Sequence, residues 1–506
     1  MSLLGIDLGT TGCKAVAFLP DGRPLASAYQ EYAMDSPEPG WYEMQADKVW
    51  RAIARVIAAV NADPAVQADP VTALSLSVSG DEFVLVDREG TCLHPVLMSM
   101  DNRGAEEAEW LAERLGRERI YAVTGLPVHR KYGLSRMLWY RRHRPDLWRR
   151  TWKCLTWEEF IYLRLGLDPV SDRSAVARLM VMDIASARLA DELLATAGVD
   201  PDLIAPYVPS GTAIGTVSPR VAAELGFTGP VTVVTGGFDQ SMACLGAGAA
   251  SPGEAMVGTG TMEALCVVAD RPATVPSLLQ GGYPWNIHVA PGRFVCTATN
   301  VGGGLVLRWF RDTFGEAEVR RAGETGEDAY DLLLAGAPAG PTDLLLLPHF
   351  AGSGPPYKDA DSLGALLGLT ARTTRGEVVL AILEGITYEL RQNIDTMAAA
   401  GVAIAELRAV GGGARSARWA QLKADITGLP VLRPRMEEAG CMAAAILAGT
   451  ATGVYASVFE AARTLIQIQD RFEPDPARHE AYTERYELYR RVYPAVRELS
   501  HGLRRL

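Results

Sequence analysis

The chain has 506 residues, of which 48% are hydrophobic and 22% are charged, close to the averages of soluble globular proteins. This length fits a large enzyme of two or three domains and excludes a short binding module. The 49 Lys and Arg residues are outnumbered by 60 Asp and Glu residues, which gives a net charge of −11. Because nucleic acids and anionic membranes are bound by basic surfaces, we expect neither as a partner.

The cysteines and the N-terminal sequence indicate the compartment. The seven cysteines are scattered and form no C-x-x-C pair, which argues against a disulfide framework or a thiolate zinc site. The start, M-S-L-L-G-I-D-L-G, has no basic segment followed by an apolar stretch, and no apolar run approaches the roughly 18 residues of a membrane span. We therefore expect a cytoplasmic protein.

The first half of the chain predicts an antiparallel meander followed by a helix and further strands. Apolar positions at helical spacing predict a helix over 49–60, and the region 104–200 is mostly helical. Apolar runs and turn residues such as G-T-T-G, P-D-G-R and D-R-E-G define the predicted strands. These strands lie at 3–6, 13–19, 25 onward, 71–78, 83–86, 93–97 and within 213–236.

The second half repeats this order, which indicates a weak internal duplication. Two strands are predicted around a G-T turn within 254–268, and further strands at 407–410 and near 431. The predicted helices lie at 376–399, from 418 onward, at 439–449 and, as one packing helix, at about 478–504. Two similar α/β domains, 1–247 and 248–506, would enclose a cleft, and ligands usually bind in such clefts.

The first candidate motif is D-L-G-T-T-G-C-K, from Asp7 to Lys14. Gly9 and Gly12 allow close backbone approach, while Thr10, Thr11 and Lys14 supply donors suited to phosphate oxygens. Asp7 could hold Mg²⁺ through water. The alternative is an ordinary hairpin with a glycine turn. Recurrence of G-T-G-T at 258–261 favours a pair of turns that clamp a polyphosphate from both sides of the cleft.

Two further motifs follow apolar strands. In T-G-G-F-D-Q, Asp239 could accept a proton from a substrate hydroxyl that attacks a γ-phosphate, or could serve only as a helix N-cap. In V-G-G-G-A-R-S, at 410–416, the three glycines could let an adenine ring lie against bare backbone, or could form only a tight connection between a strand and a helix.

Together these residues resemble the FGGY carbohydrate kinases, within the larger group that includes actin, hexokinase and heat-shock chaperone ATPases. The resemblance runs from Leu4 to about Gly453. Its most specific part is G-A-L-L-G-L-T-A-R-T-T-R-G-E-V-V-L-A-I-L-E, from Gly364 to Glu384, which fits the C-terminal signature of the family throughout. Without the family, the same stretch predicts only a turn leading into an amphipathic helix.

The resemblance implies two actin/hexokinase-like (ribonuclease H-like) α/β domains with ATP in the cleft. It places the phosphates near Gly9, Thr10, Thr11 and Lys14 and, from the other side, near Gly258 and Thr259. Adenosine would lie against Gly412, Gly413 and Ala414. Asp239 matches the catalytic base of the family, Asp7 and Asp239 match its Mg²⁺ site, and Gln240 follows the base in the sugar site.

The expected sugar-binding positions differ from those of glycerol kinases and xylulokinases within the family. Glycerol kinases have an Arg-Glu pair and xylulokinases a Met-His pair where this chain has Gly80-Asp81, followed by Glu82. The usual tryptophan of L-W-x-D-x-R is replaced by serine, although Asp101 and Arg103 remain. Asp81 and Glu82 could accept hydrogen bonds from sugar hydroxyls and would repel a sugar acid. The alternative is that both belong to a solvated loop.

We therefore expect an ATP- and Mg²⁺-dependent kinase for a neutral sugar or polyol, with a xylulose-like ketopentose as the leading substrate. Tetritols, other pentuloses, hexuloses and glycerol are alternative substrates. A chaperone-type ATPase and a sugar-sensing module that does not catalyse are the rival functions. The presence of both Asp7 and Asp239 favours an intact kinase. The oligomeric state stays open, a homodimer included.

Overall fold

Two seven-stranded sheets form the framework of the protein within residues 1–435 and 438–506, which the computed structural model describes. In the first half the strands are β1 Ser2–Leu8, β2 Gly12–Phe18, β3 Pro24–Glu31, β4 Glu43–Met44, β5 Val71–Val78, β6 Val84–Val86, β7 Val96–Leu97, β8 Lys153–Leu155, β9 Ser171–Asp172, β10 Met182–Asp183, β11 Arg188–Leu189, β12 Tyr207–Val208, β13 Ala213–Thr216, β14 Thr232–Val234 and β15 Gly237–Phe238. The helices are α1 Ala46–Asn61, α2 Pro64–Ala68, α3 Ala105–Leu115, α4 Arg117–Thr124, α5 Gly133–His143, α6 Pro145–Arg150, α7 Trp157–Arg164, α8 Arg173–Arg178, α9 Asp191–Ala197, α10 Pro219–Glu224 and α11 Asp239–Gly246.

The second half contributes the other large sheet and the longest helix of the described chain. Its strands are β16 Gly253–Thr259, β17 Glu263–Ala269, β18 Trp285–Ile287, β19 Phe294–Asn300, β20 Leu345–Leu347, β21 Ala365–Leu367, β22 Ile404–Val410, β23 Val431–Pro434 and β24 Ile468–Phe472. Its helices are α12 Pro276–Gly281, α13 Gly303–Phe314, α14 Glu316–Thr325, α15 Ala329–Ala335, α16 Arg375–Ala399, α17 Ala417–Thr427, α18 Ala439–Ala451, α19 Val458–Leu465, α20 Pro476–Tyr489 and α21 Val492–Arg504. Short 3₁₀ helices lie at Pro201–Leu203 and Gly412–Arg415.

The two large sheets share one topology. In the first, β1, β2 and β3 form an antiparallel meander, β5 runs parallel to β1, and β14 runs parallel to β5. In the second, β16, β17 and β19 form the meander, β22 runs parallel to β16, and β23 runs parallel to β22. In each sheet an antiparallel strand, β13 or β24, follows on the same side. The internal duplication inferred from the sequence is confirmed.

Helices cover both faces of the first sheet, which explains why apolar side chains on both faces of its strand β1 are buried. On β1, Leu4 and Ile6 are fully buried in the cluster that includes α1. Leu3 faces the other way and lies in the cluster formed by α18. Helix α18 comes from the second half of the chain, so its packing joins the two halves. A Cβ at Gly5 would lie 1.9 Å from the Cys441 carbonyl oxygen, so this packing requires glycine.

Three sequence expectations need correction. The strands predicted on either side of the D-R-E-G turn share only the Val86–Cys92 bridge, because β6 pairs with β8 and β7 pairs with β4. The region 213–236 contains helix α10 between its strands. The predicted C-terminal helix is two helices, α20 and α21, and the break keeps Tyr493 in the same apolar cluster as Tyr486 and Tyr489.

None of the described helices is both long enough and apolar enough to cross a membrane.

Candidate active site

The first glycine turn connects β1 to β2 and is held from behind by a tyrosine. Gly9 N donates to Gly12 O at 3.0 Å. The Tyr32 hydroxyl donates to the Gly9 carbonyl oxygen at 2.5 Å and to that of Gly12 at 3.1 Å. Thr11 is exposed at the tip of the turn, and Thr10 is partly exposed. The turn is therefore rigid, with its threonines on the solvent side.

The equivalent turn in the second half connects β16 to β17. The Thr259 hydroxyl donates to Glu263 at 2.8 Å and accepts from Lys423 Nζ at 2.6 Å, and Thr259 is buried. The hydroxyl is thus held inside the domain, which leaves the backbone of this turn to face a ligand. Helix α13 begins at the turn, since Gly304 N donates to Gly260 O at 2.9 Å. Helix N-termini favour anions.

The glycine run at 411–413 closes against this second turn. Gly411 has φ +82°, and a Cβ there would lie 2.7 Å from the Thr259 carbonyl oxygen. A Cβ at Gly413 would lie 2.6 Å from Thr259 Cγ2, whereas at Gly412 it would meet nothing within 4 Å. Gly412 and Ala414 line a cavity of about 420 Å³ that extends to Glu438. Two of the three glycines are therefore needed for packing, and Gly412 presents bare backbone to the cavity.

Asp7 and Lys14 meet the second half of the chain beside the first turn. Lys14 Nζ forms an ion pair with Glu438, which immediately precedes α18. A Cβ at Gly440 would lie 2.6 Å from Asp7 Oδ1. Burial raises the pKa of Asp7, and the negative charge of Glu438 raises it further. The predicted phosphate-binding cation is therefore already paired across the junction of the two halves.

Asp239 is the first residue of α11 rather than its N-cap, which is Phe238. Its Oδ1 accepts from Gln240 N at 2.6 Å. Burial, followed by the negative charges of Asp7 and Asp81, raises the pKa of Asp239 to about 7. The structure thus brings Asp7 and Asp239, from separate motifs, close enough for the charge of Asp7 to raise the pKa of Asp239.

The backbone leading to Asp239 is fixed by buried side chains. Gly236 N donates to Glu158 at 2.5 Å, and Phe238 N donates to the Ser174 hydroxyl at 2.9 Å. A Cβ at Gly236 would lie 1.6 Å from the Leu76 carbonyl oxygen. Glycine at position 236 is therefore a packing requirement. The result is a rigid corner from which the Asp239 carboxyl projects.

Asp81, a predicted sugar ligand, takes part in two ion pairs. Its Oδ1 accepts from Arg178 Nε at 2.9 Å, and its Oδ2 lies 3.4 Å from Lys131 Nζ. Gly80 passes so close to its neighbours that a Cβ there would lie 2.6 Å from Phe238 and 2.8 Å from Arg178. This is why the position before Asp81 is glycine.

The remaining predicted sugar ligands have protein partners for their side chains. Glu82 is buried, accepts from the Ser79 hydroxyl and, at 2.9 Å, from Ser99 N, and burial raises its pKa. Asp101 accepts from Arg103 Nε at 2.9 Å and from Tyr42 N at 2.7 Å. Arg103 also donates to Glu43 at 2.7 Å, with its guanidinium 4.0 Å from the centre of the Trp41 ring. The side chains of Glu82, Asp101 and Arg103 are therefore fixed by other groups of the protein.

Several cationic side chains beside Asp81 were not predicted. Burial, followed by the charges of Lys131, Arg130 and Lys358, lowers the pKa of His129 to about 3. Lys358 comes from the second half of the chain and has φ +50°, a backbone conformation that residues other than glycine rarely adopt. Arg178 was missed as well, although an arginine inside the apolar run A-V-A-R-L-M-V-M was a usable signal.

The stretch 283–288, which combines aromatic and polar residues, lies where the two halves meet again. Tyr283 and Trp285 are buried packing residues. The Asn286 side-chain oxygen accepts from Arg178 Nη1 at 2.8 Å. The halves are therefore in contact beside Arg178 as well as along α18.

Comparison with known proteins agrees with this arrangement. The models for the N-terminal and C-terminal domains of the FGGY family of carbohydrate kinases match residues 2–246 and 255–452. The chain is 25% identical to the xylulose kinase of Bacillus subtilis, over 99% of this chain and 98% of that protein. It is 29% identical to the gluconokinase of Bacillus licheniformis, over 99% of this chain and 96% of that protein.

Among solved structures, one described as a xyloylose kinase from Brucella ovis superposes with a TM-score of 0.87 at 28% identity, over 99% of this chain and 100% of that one. The family matches span most of the chain and both large sheets. The chain therefore belongs to the FGGY family of carbohydrate kinases and is an ATP-dependent sugar phosphotransferase.

Proposed function

We propose that this kinase transfers the γ-phosphate of ATP to a hydroxyl of a neutral sugar or polyol in the cytoplasm, with a ketopentose such as xylulose as the leading substrate. Relatives named xylulose kinase align over nearly the whole chain. The observation that carries the chemistry is the half-buried carboxyl of Asp239, projecting from a rigid corner between Asp7 and Asp81 with its pKa raised to about 7.

In the proposed mechanism, ATP lies in the cleft between the lobes 1–247 and 248–506. Its phosphates contact the turn of Gly9, Thr10 and Thr11 and, from the other lobe, the backbone at Gly258 and Thr259. Lys14 exchanges Glu438 for a phosphate oxygen. Adenosine lies over Gly412, Gly413 and Ala414, where the cavity is open. Cleft closure excludes water and aligns the reacting groups, since positioning and charge neutralisation dominate phosphoryl transfer.

Asp239 acts as the base in this proposal. Its carboxylate accepts the proton of the attacking sugar hydroxyl, and Gln240 orients the sugar beside it. A general base of this kind contributes roughly 10²- to 10⁴-fold in rate. Gly80 and Asp81 contact the sugar directly, while Glu82, Asp101 and Arg103 line the site and hold its wall.

The donor set also fits Mg²⁺. Asp7 and Asp239 are two carboxyls whose charges raise the pKa of Asp239, and Mg²⁺ favours a few carboxylate oxygens together with retained water. We propose that both residues hold the ion through water. When bound, the ion would neutralise negative charge on the phosphates.

A sugar acid is a second candidate substrate. The repulsion expected from the acidic pair is weakened, because Asp81 is paired with Arg178 and Lys131 and Glu82 is buried. Arg130 and Lys358 add positive charge around the neighbouring His129, and the gluconokinase of Bacillus licheniformis is among the relatives.

The test is a coupled ADP-release assay with ketopentoses, pentitols, tetritols, hexuloses, glycerol and aldonates. Phosphorylation of a ketopentose above all others supports the leading proposal, and preference for an aldonate supports the second candidate. Sugar-independent ATP hydrolysis alone would favour the chaperone-type ATPase. D239N is the matched control, because it preserves the shape of the site and removes the base. Parental turnover by D239N would overturn the assignment of the base.

A further inference from the structure

The guanidinium of Arg178 connects four segments around the sugar side of the site. Arg178 is the last residue of α8 and is 3% exposed. Its Nε and Nη2 donate to Asp81 Oδ1, and its Nη1 donates to Asn286 Oδ1 at 2.8 Å. Two aromatic rings lie against the guanidinium, with its Cζ 4.5 Å from the centre of the Phe238 ring and 5.0 Å from that of Tyr132.

The two oxygens of the Asp81 carboxylate have different partners. Oδ1 accepts both bonds from Arg178, whereas Oδ2 points toward Lys131 at 3.4 Å. Burial raises the pKa of Asp81, but the charges of Arg178 and Lys131 more than offset this, so the pKa lies below its usual value. Asp81 is therefore ionised and fixed by one oxygen, with the other left to accept a hydrogen bond from a ligand.

Packing around Arg178 also constrains the backbone at Phe238 and Asp239. The Arg178 side chain packs together with Gly80 and Phe238, since a Cβ at Gly80 would lie 2.6 Å from Phe238 and 2.8 Å from Arg178. Phe238 is covalently followed by Asp239. The guanidinium plane thus sets the separation between the Asp81 carboxylate and the backbone that carries Asp239. An arginine suits this position because its planar group can pair, donate and stack at once.

The bond to Asn286 reaches the other half of the chain. Asn286 lies on β18, the edge strand of the second large sheet, and its side-chain amide also donates to the Thr297 hydroxyl at 3.2 Å. Asn286 is therefore held by its own sheet while it accepts from Arg178. A shift of the second lobe at this point would move the guanidinium and, with it, Asp81.

We propose that Arg178 is a positioning residue for phosphoryl transfer. It holds the Asp81 carboxylate toward the sugar and fixes the position of the Phe238–Asp239 backbone relative to Asp81. Its bond to Asn286 connects this arrangement to the second lobe. The inference depends on the proposed roles of Asp81 and Asp239 in sugar binding and proton transfer. It predicts that substitution of Arg178 weakens sugar binding and slows phosphoryl transfer but leaves ATP binding unchanged.

The experiment measures kcat and the separate KM values for the best sugar and for ATP in R178M, R178K, D81N, R178M/D81N and N286A. R178M should raise the sugar KM and lower kcat, together by about 10- to 100-fold in kcat/KM, with little change in the KM for ATP. R178K should recover part of the loss, because it retains charge without the fork. R178M/D81N should be no worse than R178M alone, since the two residues act as one unit.

N286A separates the interlobe contact from the ion pair. It should lower kcat by a few-fold while the sugar KM stays near the parental value, because Asp81 keeps its partner. If R178M does not fold, as judged by circular dichroism, the inference is decided by R178K and N286A. Parental kinetics in both, or equal rises in the sugar and ATP KM values, would overturn it. If R178K and N286A show parental kinetics while D239N is inactive, the inference is refuted and the proposed function stands. If the parent protein phosphorylates no sugar, the proposed function itself is refuted.

Discussion

Glu384 ends the signature segment that carries the family resemblance, and its burial predicts a measurable pH dependence of stability. The side chain is 1% exposed, and its two oxygens accept from Thr342, from the backbone N at 3.0 Å and from the hydroxyl at 2.6 Å. Burial raises the pKa of Glu384 from 4.5 to about 7, although the bonds from Thr342 lower it. The folded protein therefore retains a proton that the unfolded chain releases.

The sign follows from this raised pKa. The stabilising contribution of protonated Glu384 is fully present below pH 4.5. It is lost as the pH rises from 4.5 to about 7, and above about pH 7 the loss is complete. A difference of this size corresponds to about 3 kcal/mol for one group. E384Q mimics the protonated acid, so its stability relative to the parent should rise by up to about 3 kcal/mol between pH 5 and pH 8.

Urea unfolding at pH 5 and pH 8 measures this difference. A matched control lies on the same helix, where the partly exposed Glu377 forms a capping box with Thr374 that lowers its pKa. Because a carboxyl with a lowered pKa titrates below its ordinary value of 4.5, the stability difference between E377Q and the parent should stay nearly constant from pH 5 to pH 8. A stability difference between E384Q and the parent that stays constant over this range would refute the reasoning.

Three other predictions concern the cleft and the junction of the two halves. D239N should lower kcat by about 10²- to 10⁴-fold with little change in ATP affinity, as measured by ADP release and by calorimetry. E438Q should tighten ATP binding, most clearly at low salt, because the nucleotide no longer competes with this carboxylate for Lys14, and unchanged or weaker binding would contradict this. G5A should cost roughly 1–3 kcal/mol or more in urea unfolding, because its Cβ would lie 1.9 Å from a carbonyl oxygen of α18. G229A, whose Cβ meets nothing within 4 Å, should be close to neutral.

The sequence was sufficient for the features that repeat or that have a strong local period. The meander of β1 to β3, the helix α1 and the long helix α16 follow from alternation and helical spacing, and the duplicated G-T turns pointed to two similar sheets. The pairing of β6 with β8 rather than with its neighbour in the chain was not predictable, because the partner lies more than 60 residues away. Local patterns specify that a strand forms but not which strand it joins.

The site residues illustrate the same limit at the level of single side chains. Residue type identified Thr259, Glu82 and Asp101 as groups able to bind a ligand, yet each has its polar atoms engaged by protein donors or acceptors. A carboxylate that holds the wall of a pocket and one that faces the ligand have the same chemistry in the sequence. Only their partners distinguish them, and those partners come from distant segments.

Asp81 shows how such partners change the chemistry of a predicted site residue. As an isolated acidic residue it predicts a site that repels anions. Paired with Arg178 and Lys131, and close to the cations around His129, it is part of a site in which positive charge is at least as abundant as negative charge. Because two of these cations, Lys131 and Lys358, come from different halves of the chain, the charge presented to a sugar depends on how closely the halves approach. Substrate selection and cleft closure are for this reason expected to be coupled in this kinase.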